Sequence, residues 1–238
     1  MSTLTLNVDM AAVLRSVSRQ NEPDPSQLAM LAELYGVDAI AVQFRRDKKY
    51  IRERDLYLLK GIVKSKLIIE MPPTEEAIEK IIELKPHAVI FAADHADSDS
   101  PLSPIDFNTA PIDYRTVTNQ LQAVGVEVGF FVEPDQEEIK GVAKSGASIV
   151  VLNCAAYTEA RNSDDAQSEL DRIDKAANSV HKHNLSLYGS RGLHYKNIKP
   201  LIELQMFHSF IIGDAIVSKA LLLGLKQAVD DMLSLFKR

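Results

Sequence analysis

The chain is predicted to be a single α/β domain over residues 1–238, a (β/α)8 TIM barrel, and three observations carry that prediction. Short apolar runs alternate with longer helical patterns along its whole length. The alternation repeats at roughly 30-residue spacing, enough for eight βα units, whereas a doubly wound sheet normally needs fewer strands. No low-complexity stretch or linker marks a domain boundary.

Leu4–Val8 alternates and ends at Asp9 as a first strand, and Ala11–Val17 continues in helical register. Pro23 and Pro25 punctuate the chain before a helix from Ser26 to Tyr35, with Leu28, Leu31 and Leu34 on one face and Gly36 as its stop. Ala39–Phe44 is the second strand, ending at Gln43 and Arg45; a charged loop, 46–54, leads to a helix over Leu56–Val63. Lys66–Met71 is the third strand and carries Glu70, and Pro72-Pro73-Thr74 starts a helix over Glu76–Leu84. His87–Ala92 is the fourth strand. The loop Asp94–Pro111 is too long for a tight connection and reads as a lid over the mouth or an insertion. Helix Tyr114–Val124, strand Val126–Val132, helix Gln136–Lys144, strand Ile149–Asn153 and helix Ala166–His183 follow. The next strand opens at Leu185 and stops at Gly189, with Ser190, Arg191 and Gly192 as a turn before helical register resumes over Tyr195–Leu204. The last unit is strand His208–Ile212, Gly213 and one long helix, Ala215–Phe236.

With 46% hydrophobic residues the chain has ample material for a core. A net charge of −6 and the lack of any Lys/Arg block argue against nucleic acid as a partner, while a small anionic ligand needs only local positive charge. One cysteine, Cys154, excludes an intramolecular disulfide framework and a cysteine-based zinc site, which fits a cytoplasmic setting. The sequence shows neither a signal-peptide pattern nor an apolar run long enough for a membrane span.

Active sites of such barrels lie on the rim formed by the C-terminal strand ends. Those ends here carry Asn7, Asp9, Gln43, Arg45, Glu70, Asn153, Arg191, Gly192, Gly213 and Asp214, a high density of polar groups on apolar strands. Glu70 follows Leu67, Ile68 and Ile69 at the mouth of an apolar barrel, where desolvation favours acid/base use; the alternative is a structural pair with Arg45. Asp9 divides in the same way. Arg191, in a glycine turn, suits a carboxylate or phosphate, although a solvated surface arginine fits the turn equally well. Asn153 and Cys154 are weaker candidates. The last two strands often build a phosphate site from glycine loops and a helix N-terminus, which favours Gly192 and Gly213. Asp214 opposes this, because its carboxylate takes the same positive end; pairing with Arg191 is the alternative. None of the histidines forms a metal-ligand pattern, and His87 and His208 open strands at the opposite, stability face.

Taken together, NVDMAAVLR (7–15), PDP (23–25), FRRDKKYI (44–51), IIEM (68–71), KPHAV (85–89), YGSRGL (188–193) and the IGDAIVSKAL…GLKQAV run (212–229) resemble the pyridoxine 5′-phosphate synthase family over essentially the whole length. The resemblance implies a (β/α)8 barrel with extra short helices, homo-oligomers from dimers up to octamers, and no metal or other cofactor. The implied reaction condenses 1-deoxy-D-xylulose 5-phosphate with 3-amino-2-oxopropyl phosphate, releasing phosphate and water. It makes Glu70 a catalytic carboxylate. Asp9 and Arg45 become contacts to the deoxyxylulose phosphate, and Asn7, Gly192 and Gly213 contacts to the amino ketone. Ser100 stands in place of a family threonine.

The pattern departs from the family at the two catalytic histidines, which are Gln43 and Arg191 here. Further ligand-contacting histidines are Met10, Tyr50 and Asp214, and a substrate-binding arginine is Ser18. Gln cannot shuttle protons, and Arg holds its proton too tightly to act as an acid at neutrality. Losing both histidines is expected to cost on the order of 10²- to 10⁴-fold each, leaving the usual activity weak or absent. Three functions follow: an inherited enzyme with altered chemistry, a non-catalytic paralogue that binds a small phosphorylated or carboxylated molecule, and a structural partner in an oligomer.

Overall fold

The computed structural model describes residues 2–94, 102–107 and 112–237. Ser100 and most of the expected 94–111 lid lie outside these residues.

Eight parallel strands close on themselves: β1 (Thr3–Asn7), β2 (Ala39–Gln43), β3 (Lys66–Met71), β4 (Ala88–Phe91), β5 (Glu127–Val132), β6 (Ile149–Asn153), β7 (Ser186–Ser190) and β8 (Ser209–Ile212). Each pairs with the next, and β8 returns to β1 with Leu6 opposite Ile212. Around them lie α1 (Asp9–Ser18), α2 (Pro25–Leu34), α3 (Glu53–Ile62), α4 (Glu75–Leu84), α5 (Tyr114–Ala123), α6 (Gln136–Ser145), α7 (Ala155–Thr158), α8 (Ser163–Lys182), α9 (Lys199–Glu203), α10 (Asp214–Leu223) and α11 (Leu225–Phe236). The (β/α)8 barrel with added helices is therefore the observed fold.

Local chemistry starts many of these helices. Side chains of Asp24, Thr74, Asp113, Asp135 and Asn162 accept from main-chain N–H groups in the first turns of α2, α4, α5, α6 and α8, satisfying donors a helix leaves orphaned. The strands are apolar on both faces because both are covered. One face packs on the helices in the main core, which includes Leu4, Leu6, Ile40, Val42, Ile69, Val150 and Phe210. The other fills the barrel with Ala39, Ala41, Ile68, Ala88, Ile90, Phe131, Ile149, Val151, Tyr188 and Ile211. Period-two alternation extends each interior row upward: Ala39 and Ala41 to Gln43, Ile68 to Glu70, Ile149 and Val151 to Asn153.

Outside the barrel, α1 and α3 are joined by an ion pair. Arg15 donates to both carboxylate oxygens of Asp55, at 2.9 and 2.6 Å, and to the Tyr50 carbonyl at 3.0 Å. Asp55 also accepts from the Arg52 N–H at 2.8 Å.

Four sequence expectations need correction. Strand β7 does not stop at Gly189 but continues through Ser190, paired with β6 and β8. The helical register expected over Tyr195–Leu204 shortens to α9, which Pro200 starts. The short α7 adds a helix where a polar loop is expected. The long C-terminal helix is two, because Gly224 has φ 84° and ψ 152°, a conformation other residues rarely adopt.

Candidate functional site

At the C-terminal strand ends the barrel opens into a cavity of about 880 Å³, within the range of small-molecule sites. Asn7, Asp9, Gln43, Arg45, Glu70, Asn153, Arg191, Gly192, Gly213 and Asp214 all line it, so ten rim residues expected from the sequence meet in one place. Met10 and Tyr50 line it too. Ser18 sits at the end of α1 and does not.

The β1–β3 quarter is a closed hydrogen-bond chain. Asn7 donates through Nδ2 to Asp9 Oδ2 at 2.8 Å and accepts the Asp9 N–H at 2.9 Å. The Gln43 N–H donates to Asp9 Oδ1 at 2.9 Å, while its side-chain Nε2 donates to Glu70 Oε2 at 2.7 Å. Gln43 and Glu70 are register partners and both close interior rows, which is why their side chains meet. Burial pushes the Asp9 carboxyl up to about 7, against the hydrogen bonds from Gln43 and Asn7 that favour its charged form. Nearby Glu70 adds to the rise and Arg191 opposes it.

The expected alternative of a Glu70–Arg45 pair gives way to a different one. Arg45, buried, donates to Asp47 through Nε at 3.1 Å and Nη2 at 2.9 Å. The hydrogen bonds from Arg45 in turn hold the Asp47 carboxyl below its ordinary range.

Across the cavity, Arg191 does not pair with Asp214. Its Nη2 donates to the Leu102 carbonyl at 2.6 Å, and its guanidinium lies 4.7 Å from the Phe131 ring centroid, a cation–π contact. Arg191 has φ 80°, a strained value for a residue with a Cβ. Gly192 follows at φ 63°, and a Cβ there would fall 2.1 Å from Thr158 Oγ1, so only glycine fits the turn. Leu102 belongs to a returning segment held by the Ala93–Ser103 bridge and by the Ile105 N–H to the Phe131 carbonyl at 2.7 Å.

The weaker candidates are tied into the surrounding structure. Asn153 donates to Glu133 at 2.7 Å and accepts the Ala155 N–H, at the start of α7, at 3.1 Å. Cys154 is fully buried, and burial pushes its thiol up to about 12. His208 accepts the Leu187 N–H at 3.2 Å, and His87 lies 3.7 Å from Glu127, both at the far end of the barrel. Among the described residues no group of three or more His, Cys, Asp or Glu could hold a metal.

Phe131 and Leu102 escaped sequence reading. Phe131 was findable, since it continues the interior row of β5; Leu102, on an irregular segment, carried no periodic signal.

A family model described as "Pyridoxal phosphate biosynthesis protein PdxJ" matches residues 4–238. Relatives named pyridoxine 5′-phosphate synthase are 34% identical in Gloeothece citriformis and 35% in a Synechococcus species, each covering 98% of this chain and 97% of the relative. A third, from Geotalea uraniireducens, is 33% identical, covering 100% and 99%. A solved structure described as "Native KDPGal structure" superposes with a TM-score of 0.61 at 11% identity, covering 99% of this chain and 93% of that one, a likeness of fold alone. With the family model running from the first strand to the C-terminus and relatives matched end to end, this chain belongs to the PdxJ family of pyridoxal phosphate biosynthesis proteins, the pyridoxine 5′-phosphate synthases.

Proposed function

We propose that the cavity binds a small molecule carrying a phosphate or carboxylate, and that the family condensation runs weakly or not at all in this protein. The observation that carries this reading is the state of Gln43 and Arg191, at the positions where the family resemblance puts the catalytic histidines. Gln43 is committed to Glu70 by a 2.7 Å hydrogen bond and has no proton to exchange. Arg191 is committed to the Leu102 carbonyl and the Phe131 face, and a guanidinium is chemically unsuited to shuttle protons in place of an imidazole. The binding half of the machinery persists: Arg45 brings a buried positive charge to the cavity, where low dielectric strengthens its pull on an anion. Glu70 retains the capacity for one simpler proton transfer.

Retained condensation is the second reading, and a specific observation favours it. Asp9, whose carboxyl burial pushes up to about 7, lines the cavity beside Glu70, and a value near neutrality suits a general acid or base. The deciding experiment incubates the purified protein with 1-deoxy-D-xylulose 5-phosphate and 3-amino-2-oxopropyl phosphate, beside an active synthase. No pyridoxine 5′-phosphate from a folded protein supports the first reading; formation at a comparable rate supports the second.

The protein is further proposed to be cytoplasmic and to self-associate without a cofactor. Exposed apolar residues support the association: Leu31 and Leu34 on α2, and Leu221, Leu222 and Leu223 at the end of α10. Among the described residues no helix is long and apolar enough to cross a membrane. Light scattering of the purified protein tests the assembly, and a monomer at micromolar concentration would count against it.

A further inference from the structure

We propose that Asp214 sets the ligand class of the cavity: it keeps a second anionic group away from the β8 side and accepts an amine or hydroxyl there. The ligand is then a small molecule with one phosphate or carboxylate rather than two. This rests on the reading of the cavity as a small-anion site and narrows it.

Charge is divided unevenly around the cavity. Arg45 and Arg191, its two arginines, come from the β2 and β7 ends, with Arg191 drawn toward Phe131 of β5. Of the four carboxylates, Asp9 and Glu70 near β1 and β3 accept hydrogen bonds from Asn7 and Gln43, whereas the β8 side carries Asp214, and Glu159 lies on the wall after α7. Asp214 opens α10, a ten-residue helix whose cap, Gly213, offers no side chain. The main-chain N–H groups of Ile216 and Val217 are taken by the Gly213 carbonyl, at 3.0 Å each. Gly213 itself lies so close to β1 that a Cβ would stand 2.9 Å from the Asn7 carbonyl oxygen, which fixes the helix start against the cavity wall.

A helix start carries about half a positive charge, whereas a carboxylate carries a full negative one. The sum at this wall is negative. The Asp214 side chain is exposed to the cavity and has no hydrogen-bond or ion-pair partner among the described residues. An unpaired carboxylate on a ligand-binding wall repels an anion and accepts a donor, and an ammonium or hydroxyl group satisfies it. The anionic end of the ligand is left to Arg45 and Arg191.

Two probes with the same three-carbon skeleton separate these effects. Glycerol 3-phosphate has one phosphate and two hydroxyls; 3-phosphoglycerate replaces the far hydroxyl end with a carboxylate. Calorimetric titration of the whole protein at low ionic strength is expected to show glycerol 3-phosphate binding about tenfold tighter or more, the scale of a like-charge contact at a partly solvated wall. Asp214→Asn is expected to erase or reverse that preference, chiefly by tightening 3-phosphoglycerate, with an unchanged circular dichroism spectrum. A wild-type preference for 3-phosphoglycerate, or an unchanged ratio in Asp214→Asn, overturns the proposal while leaving the anion site standing. If neither probe binds wild type, and inorganic phosphate does not either, the anion site and the proposal fall together.

Discussion

Arg15–Asp55 and Arg45–Asp47 join the same two functional groups, yet one is closed and the other is open. In the first pair both side chains are buried, at 3% and 0% exposure; in the second Arg45 is 6% exposed and Asp47 44%. The buried pair ties α1 to α3 and, through the Tyr50 carbonyl, to the loop that lines the cavity. Both charges are closed off from water, and the Tyr50 carbonyl and the Arg52 N–H complete the contacts that hold them together. At the rim, Asp47 reaches solvent, and under the proposed function a ligand anion competes with it for Arg45. Burial of the carboxylate separates a contact sealed inside the scaffold from one open to solvent at the cavity rim.

Breaking the buried pair is the largest expected effect. Asp55→Ala leaves the buried Arg15 with only the Tyr50 carbonyl and the Asp24 carboxylate at 4.0 Å, and is expected to cost about 3 kcal/mol in urea unfolding. A loss below about 1 kcal/mol would erase the contrast between the two pairs. The same bond gives acid sensitivity. Burial raises the Asp55 carboxyl, but the hydrogen bonds from Arg15 and the Arg52 N–H prevail and hold it below its ordinary range. The unfolded chain therefore takes up the proton first as pH falls. This stabilisation is complete above about 4 and disappears as pH drops through the lower folded value.

Asp9 gives the intermediate case, a carboxyl in the cavity wall whose hydrogen bonds come from an amide and a main-chain N–H rather than an arginine. Its folded value of about 7 lies above the unfolded one, so its contribution weakens as pH rises from about 4 and levels off above about 7. Asp9→Asn removes that slope. Unfolding free energies from pH 5 to pH 8 are expected to fall less in the variant than in wild type, by an amount on the order of a few kcal/mol. Parallel curves would show that burial does not govern Asp9.

The smallest effect sharpens the comparison from the open side. Asp47→Asn, which keeps a side-chain oxygen to accept from the buried Arg45 and changes a half-exposed residue, is expected to change stability by about 1 kcal/mol or less. It is also expected to tighten inorganic phosphate a few-fold at low salt, with the gain fading at high salt. A loss of phosphate binding instead would mean that Asp47 holds Arg45 in its binding pose.

Residues whose environment is set by periodicity are legible in the sequence. Lys66–Met71 and Ile149–Asn153 are bounded as the sequence indicates, because each is an apolar run ended by a polar residue or its neighbour. The polar rim is legible for the same reason: Asn7, Gln43, Glu70 and Asn153 are breaks at the ends of apolar rows. Glycine is the weak point. Gly189 reads as a strand stop, but in the barrel it leaves room for Phe207 and Phe210, whose atoms would lie 3.0–3.2 Å from a Cβ. Gly224 sits inside a run whose apolar pattern continues helically on both sides, so only its backbone angles reveal the break. Partners distant in sequence stay hidden as well. Nothing around Arg191 indicates that its guanidinium meets a carbonyl 89 residues earlier, and Asp47 is one of several acids near Arg45.

The buried Cys154 thiol makes this protein a convenient subject for site-directed labelling. Burial pushes the thiol up to about 12 and leaves none of the residue exposed, so both thiolate formation and reagent access are disfavoured. Maleimide dyes and spin labels will pass the native chain by. A cysteine placed on the exposed face of α10 and another on the loop after β2 become the sole reactive positions without removing anything native. Fluorescence transfer or electron-spin distances between them would report directly how the cavity mouth breathes when an anion arrives.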